Sequence, residues 1–154
     1  MFGPVRGVVR GTVAWISGYL LTWGLLAVGI VDSTMGVART FLEAHTVVLG
    51  AGTDPITMVA VPALAVGGMG YRIGSDIGAG ALGRLRSTLG ALFGSRSNHT
   101  RTAVTAGVYL AIGYAVVAAV AAASVGTAVD ETAVSSLVVA LVVGVPTALA
   151  GVRS

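Results

Sequence analysis

Long stretches without a single charged residue constrain this chain more than any other feature. Residues 12–31 carry no charge, and 20 helical residues at 1.5 Å each match a hydrocarbon core about 30 Å thick. Residues 102–129 and 132–152 form two further charge-free runs. Residues 55–71 form a shorter one, which contains Pro62 and follows Asp54 and Pro55, a pair typical of a helix start. Four such runs are typical of a protein that crosses a membrane repeatedly.

The composition excludes most other classes of protein. Hydrophobic residues make up 55% of the chain and charged residues 10%, which is far from the balance of a soluble domain. The lack of Cys excludes a disulfide framework, a thiolate nucleophile and a cysteine-based metal site. A cleaved signal peptide is the alternative for the first run, but the length of this run and the three that follow favour a membrane span. We predict an all-α integral membrane four-helix bundle, one domain over residues 1–154, with spans at about 12–31, 54–71, 102–128 and 132–152.

Alternation across four spans sorts the charges by side. One side receives a single acid, Asp76, and most of the arginines: Arg6, Arg10, Arg72, Arg84, Arg86, Arg96, Arg101 and Arg153. The other side receives a single base, Arg39, and the remaining acids: Asp32, Glu43, Asp54, Asp130 and Glu131. Because short cytoplasmic flanks retain arginine and lysine during insertion, we expect both termini and residues 72–101 on the cytoplasmic or virion-interior side.

The connections between the spans have patterns of their own. In residues 72–101, Ser75 or Asp76 could begin an interfacial helix, and residues 94–101 are typical of a polar turn. In residues 33–52, apolar residues recur at helical spacing, which predicts a short amphipathic helix that rests on the outer surface or packs on the bundle. Asp130 and Glu131 are expected in a tight turn between the last two spans.

Little in the sequence indicates chemistry. No span has an ionisable residue near its middle, which disfavours a pump or a proton-coupled carrier. His45 and His99 are expected on opposite sides of the membrane, so they could not share a metal. We expect no catalytic residue, metal or cofactor. Hydroxyl groups could line a path, although ordinary hydrogen bonds between helices or anchoring at the membrane interface explain them better: Thr22, Thr57, Thr105, Tyr109 and Tyr114.

Small residues recur at every fourth position along the spans. In lipid, helices associate by close approach of their backbones, so such stripes predict tight contacts within the bundle or between copies of the chain. The first span has Ala14, Gly18 and Thr22 in this register, on a helix that also carries Trp15, Tyr19 and Trp23 along one face. The predicted packing residues are Gly18, Gly107, Ala111, Ala115, Ala119, Ala140, Gly144 and Ala148.

The arginines beside the membrane predict an anionic partner. Lipid headgroups are one candidate, since each arginine near the surface contributes roughly 1 kcal/mol. Nucleic acid is the other, because arginine neutralises phosphate without reading sequence. A partner membrane protein or further copies of the chain are also expected. The predicted contact residues are Arg72, Arg84, Arg86, Arg96 and Arg101.

The style of the chain resembles membrane proteins of haloarchaea and their viruses. All nine basic residues are arginine, the spans are rich in Ala, Val and Gly, and residues 124–137 read SVGTAVDETAVSSL. In size, span count and basic interior the chain is similar to the small internal membrane proteins of pleomorphic haloarchaeal viruses, and residues 5–15 and 18–24 would test this best. Host membrane proteins of similar style remain an alternative.

These patterns together predict a non-enzymatic function. The resemblance implies a structural or scaffolding protein of a viral envelope or a cell membrane, which packs through its small-residue faces and presents its arginines to lipid, nucleic acid or a partner. The alternative is a small transporter or channel subunit. Such a subunit would act as an oligomer, because four uncharged helices enclose little volume.

Overall fold

Five α-helices make up the part of the chain that the structure, a computed structural model, describes: residues 4–47, 60–85 and 95–153. They are α1 (Pro4–Ala27), α2 (Val37–Val47), α3 (Ala60–Leu85), α4 (Ser95–Val125) and α5 (Val129–Arg153). The all-α prediction is confirmed. The predicted helix start at Asp54, together with Thr57 and Arg86, lies outside the described residues.

The four long helices pack side by side, with α2 inserted among them. Helices α3 and α5 run in the same direction, since Gly70 lies against Gly144 and Gly74 lies against Ala148. Helices α4 and α5 form an antiparallel hairpin in which Gly107 contacts Val145.

Helix α1 crosses α4 and runs in the same general direction. Gly7 lies against Tyr109, and Gly11 lies against Leu110. The start of α1, the end of α3, the start of α4 and the end of α5 therefore lie at one end of the bundle, which we call the basic end. The opposite end, which holds residues 28–36 and 126–128, is the turn end.

Two glycines end their helices in the left-handed conformation, with φ of 72° at both Gly29 and Gly126. After α1, the N–H of Ile30 donates to the carbonyl of Leu25 over 3.1 Å. After α4, the N–H of Thr127 donates to the carbonyl of Ala122 over 3.0 Å. Both turns are Schellman motifs, which need a residue without a Cβ at the reversed position.

The last two helices form the expected hairpin, but the acids lie elsewhere than predicted. Residues 126–128 make the turn, and Asp130 and Glu131 lie in the first turn of α5. Carboxylates are favourable there because the unpaired N–H groups at a helix start carry a partial positive charge.

Many large apolar side chains of the long helices face outward, while alanines of the same helices are buried. Val120 and Val142 are 66% and 67% exposed, whereas Ala118 and Ala140 on the same two helices are fully buried. Two helical stretches, His99–Val125 and Val129–Val152, are long and apolar enough to cross a membrane, and only 39% and 33% of their most apolar windows are buried. A core helix of a soluble protein would be mostly buried.

Helix α3 differs from the prediction for residues 72–101. It continues without a break from Ala60 to Leu85, so Ser75 and Asp76 lie inside it and do not start a new helix. Gly70 and Gly74, which weaken an isolated helix, lie at the contact with α5, where close packing compensates for low propensity.

The polar turn predicted for residues 94–101 is also wrong, because α4 begins at Ser95. Extending an established helix costs little, so the long apolar segment carries its helical conformation back through weak helix formers.

Candidate functional site

Helix α2 lies inside the bundle and not on its outer surface. It contacts α1, α3, α4 and α5, and it fully buries Phe41, Ala44 and His45. The ring of Phe41 lies against Gly18 of α1, where any larger residue would collide with it. The amphipathic pattern correctly predicted a helix, and of the two placements left open, packing on the bundle is the observed one.

His45 joins α2 to the middle of α4. Its Nδ1 lies 2.9 Å from the carbonyl oxygen of Phe41, and its Nε2 lies 2.8 Å from the hydroxyl of Tyr114. Because a carbonyl can only accept, Nδ1 carries the proton, and Nε2 therefore accepts the hydrogen bond that Tyr114 donates. Both ring nitrogens of the neutral imidazole are satisfied in this tautomer.

Aromatic rings continue from His45 to α1. The ring centroid of Phe41 lies 5.0 Å from that of His45 and 5.4 Å from that of Trp15, edge to face in both cases. Trp15 stacks on Tyr19 at 5.6 Å. Trp23, predicted on the same face of the helix, is instead 59% exposed. The ring chain therefore fixes α2 against α1 at Trp15 and against α4 at Tyr114.

Burial decides the charge of His45. Removal from water lowers its pKa from 6.5 to about 4, and hydrogen bonding to the backbone of Phe41 and Leu42 offsets only part of that effect. The imidazole is therefore neutral at pH 7. The sequence prediction excluded ionisable residues only from the middles of the spans, and His45 lies on α2, which is not one of them. The signal that was present is the position of His45 on the apolar face of that helix.

Further polar side chains are buried in the half of the bundle nearer the turn end. On α5, Ser135 donates to the carbonyl of Glu131 over 2.8 Å, and Thr132 is also buried. The hydroxyl of Ser136 and the indole N–H of Trp15 are buried and have no hydrogen-bond partner among the described residues. Two unsatisfied groups of this kind are uncommon in a folded interior.

The other hydroxyls considered from the sequence have simpler roles. Thr22 donates to the carbonyl of Gly18 over 3.0 Å, and Thr105 donates to that of Arg101 over 2.9 Å, both within their own helices. Tyr109 lies half-buried at the crossing of α1 and α4. Among the members of this set that the structure describes, Tyr114 is the one with a bond to another helix.

The basic end has exposed arginines near an ion pair. Arg10 of α1 and Asp76 of α3 approach to 2.8 Å. Arg72 and Arg101 are exposed on α3 and α4. Arg84 and Arg96 lie on the described parts of the same two helices, but their side chains lie outside the description.

The predicted packing residues lie at helix contacts in different degrees. Those that are buried or pressed against a neighbouring helix are Gly18, Gly107, Ala111, Ala115, Ala140, Gly144 and Ala148, whereas Ala119 is only half-buried. Two tighter pairs were missed. They are Gly7 with Gly11, and Gly70 with Gly74, each a four-residue spacing of glycines that allows close backbone approach.

Among residues 4–47, 60–85 and 95–153, no group of His, Cys, Asp or Glu side chains is arranged to hold a metal ion. Comparisons with protein-family models, with curated proteins and with solved structures find no match for this chain.

Proposed function

We propose that this protein is a structural, non-enzymatic component of a membrane, which it crosses four times through α1, α3, α4 and α5. The observation that carries the proposal is the outward apolar surface of these helices. Besides the two long apolar stretches of α4 and α5, α1 exposes a row of large apolar side chains: Val5, Val9, Val13, Ile16 and Leu20. Exposure of so large a continuous apolar surface is unfavourable in water and favourable in the hydrocarbon core of a membrane.

The direction of the helices supports an even number of crossings. Helices α1 and α4 run one way and α3 and α5 the other, and the arginines collect at the end where both termini lie. The retention of arginine at the cytoplasmic side would orient this end inward. We propose that it faces the cytoplasm or the interior of a virion, in keeping with the arginine-only style of the chain.

Protease sites inserted in the full-length protein test this topology. Sites at the amino end and at Ser97 should be cleaved from the same face of sealed vesicles, and a site at Thr127 from the opposite face. Cleavage of the first two sites from opposite faces would refute the four-span arrangement.

We propose that the arginines of the basic end bind the phosphate groups of anionic lipids. Arg72 and Arg101 are exposed there, and the nearby carboxylate of Asp76 pairs with Arg10. In vesicles of mixed phosphatidylglycerol and phosphatidylcholine, spin-labelled lipids measure which headgroup the protein prefers. Arg72→Gln and Arg101→Gln should each weaken the preference for phosphatidylglycerol about fivefold, since each arginine contributes about 1 kcal/mol.

Arg39 provides the matched control for this experiment. It is exposed on α2, away from the basic end, so Arg39→Gln should leave the lipid preference unchanged. Equal effects of all three substitutions would contradict a specific role for the basic end. Salt-sensitive capture of DNA or RNA by the wild-type protein, without any lipid preference, would replace lipid by nucleic acid as the partner.

A transporter or channel subunit is the second candidate, favoured by the polar groups inside the bundle. Ionisable residues at such positions are typical of ion and proton paths, and His45 with Tyr114 is a pair of this kind. Flux of protons or small ions into proteoliposomes that disappears in Tyr114→Phe would favour this function over the structural one.

A further inference from the structure

We propose that α2 is a removable plug over a polar groove at the turn end of the bundle, and that uptake of a proton by His45 releases it. The inference goes beyond the proposed structural role. It concerns the interior of the bundle and does not depend on the basic end.

The short length of α2 and the connection that precedes it suit a segment that moves as a unit. Helix α2 is 11 residues long and follows residues 28–36, which include Gly29 and Gly36. Gly29 ends α1 with a φ of 72°, and the carbonyl of Gly36 accepts from the N–H of Thr40 at the start of α2, so the two glycines lie at the two ends of the connection. Ser33 and Thr40 share a hydrogen bond of 2.7 Å that belongs to the segment itself and would move with it.

The surface beneath α2 includes polar groups from two helices. On α1, the indole of Trp15 lies 5.4 Å from the ring of Phe41, and its N–H has no hydrogen-bond partner among the described residues. On α4, the hydroxyl of Tyr114 bonds to His45. Departure of α2 would uncover a groove that includes both of these polar groups.

The hydrogen bonds of His45 make the docking of α2 sensitive to protonation of the imidazole ring. Both ring nitrogens are occupied, by the carbonyl of Phe41 and by the hydroxyl of Tyr114, so no carboxylate bonds to the ring. After protonation Nε2 would become a donor, and Tyr114 would have to turn from donor to acceptor beside a buried cation. The docked position of α2 favours the neutral imidazole of His45. By linkage, protonation of this imidazole favours the undocked helix.

Other titratable groups lie around α2 and must be separated from His45 by experiment. Helix α2 itself carries Arg39 and Glu43. The helices around it contribute tyrosines and the two acids at the start of α5: Tyr19, Tyr109, Tyr114, Asp130 and Glu131. The charged groups of α3, Arg72 and Asp76, lie toward the basic end. A variant without an imidazole therefore separates the contribution of His45 from that of these groups.

The fluorescence of Trp15 reports directly on whether α2 is docked. The chain has two tryptophans, and in Trp23→Phe the remaining indole lies 5.4 Å from the ring of Phe41. In detergent, lowering the pH from 7.5 to 4 should shift the emission of Trp15 to longer wavelength as the helix leaves. The ratio of docked to undocked helix should fall by about 150-fold between these two pH values, as expected for a pKa of 6.5 in the undocked helix and about 4 in the docked one.

His45→Gln is the matched control in the same background, because its amide can still accept from Tyr114 but does not titrate. It should abolish the shift, whereas Tyr114→Phe should move the midpoint to higher pH. A shift that persists in His45→Gln would assign the transition to a carboxylate and overturn the proposal. No shift in the parent between pH 7.5 and 4 would overturn it as well.

Chemical labelling provides a second measurement that does not depend on tryptophan. The chain has no Cys, so Ala44→Cys introduces a single thiol on the buried face of α2 and Ala148→Cys a buried one nearer the basic end. A pyridyl disulfide, which reacts with thiols in acid, should modify the first thiol at least tenfold faster at pH 4 than at pH 7.5, and the second equally at both. Equal acceleration at both sites would indicate general unfolding and contradict a local release. Neither readout depends on membrane topology, so these results and the protease experiment can fail independently.

Discussion

Replacement of Gly74 by Ala tests the close approach of α3 and α5, the contact on which the bundle rests. A Cβ at this position would collide with the carbonyl oxygen of Ala148, and it would lie 2.8 Å from the carbonyl carbon of that residue and 2.9 Å from Cα of Gly151. All three are backbone atoms, which cannot rotate away as a side chain can. The two helices would have to move apart along their shared interface.

The expected loss of stability follows from two opposing effects. Overpacking costs about 1–3 kcal/mol, and the backbone contact places Gly74→Ala at the upper end of that range. Alanine improves helix propensity by about 1 kcal/mol relative to glycine, which offsets part of the cost. The free energy of unfolding should therefore fall by about 2 kcal/mol, a change of about 30-fold in the unfolding equilibrium.

Gly68 of the same helix is the matched control. It is exposed, and nothing within 4 Å surrounds its Cβ position, so Gly68→Ala changes propensity without changing packing. Reversible unfolding of both variants in mixed micelles, followed by circular dichroism, should show Gly68→Ala equal to or above the wild-type protein and Gly74→Ala below it. Equal stability of the two variants would refute the close packing of α3 and α5.

Three other regions give further predictions for the same unfolding measurement. Asp76→Asn should cost no more than about 1 kcal/mol, because its ion pair with Arg10 is partly exposed, and the cost should shrink as salt is added. Gly126→Ala should cost about 1 kcal/mol, because alanine disfavours the φ of 72° there. Tyr114→Phe should cost about 1–3 kcal/mol, since it leaves the buried Nε2 of His45 without a donor. Because the pKa of His45 is about 4 when folded and 6.5 when unfolded, its contribution is complete above pH 6.5 and is lost as the pH falls to 4, a decrease of about 3 kcal/mol that His45→Gln should remove.

The helices themselves were predictable because the absence of charge over a long run has few explanations. The runs at 102–129 and 132–152 match the helices that are long and apolar enough to cross a membrane, although the turn between these helices lies at residues 126–128 and not at the two acids that separate the runs. Helix ends within polar segments were less predictable. The polarity of Ser75 and Asp76 indicated a boundary, yet α3 passes through both, because packing on α5 continues there and outweighs local preference.

The place of α2 depends on information that no local pattern contains. Its amphipathic face is the same whether it covers a membrane surface or the inside of a bundle, since both present an apolar environment to Phe41 and Leu42. What distinguishes the two is His45, which at a membrane surface would lie within reach of water and keep an ordinary pKa. Inside the bundle it needs a donor for Nε2, and only the assembled helices bring Tyr114 to it from 69 positions along the chain. A buried polar residue on an otherwise apolar face is therefore a reason to look for a distant partner, and here that partner marks the depth to which α2 inserts.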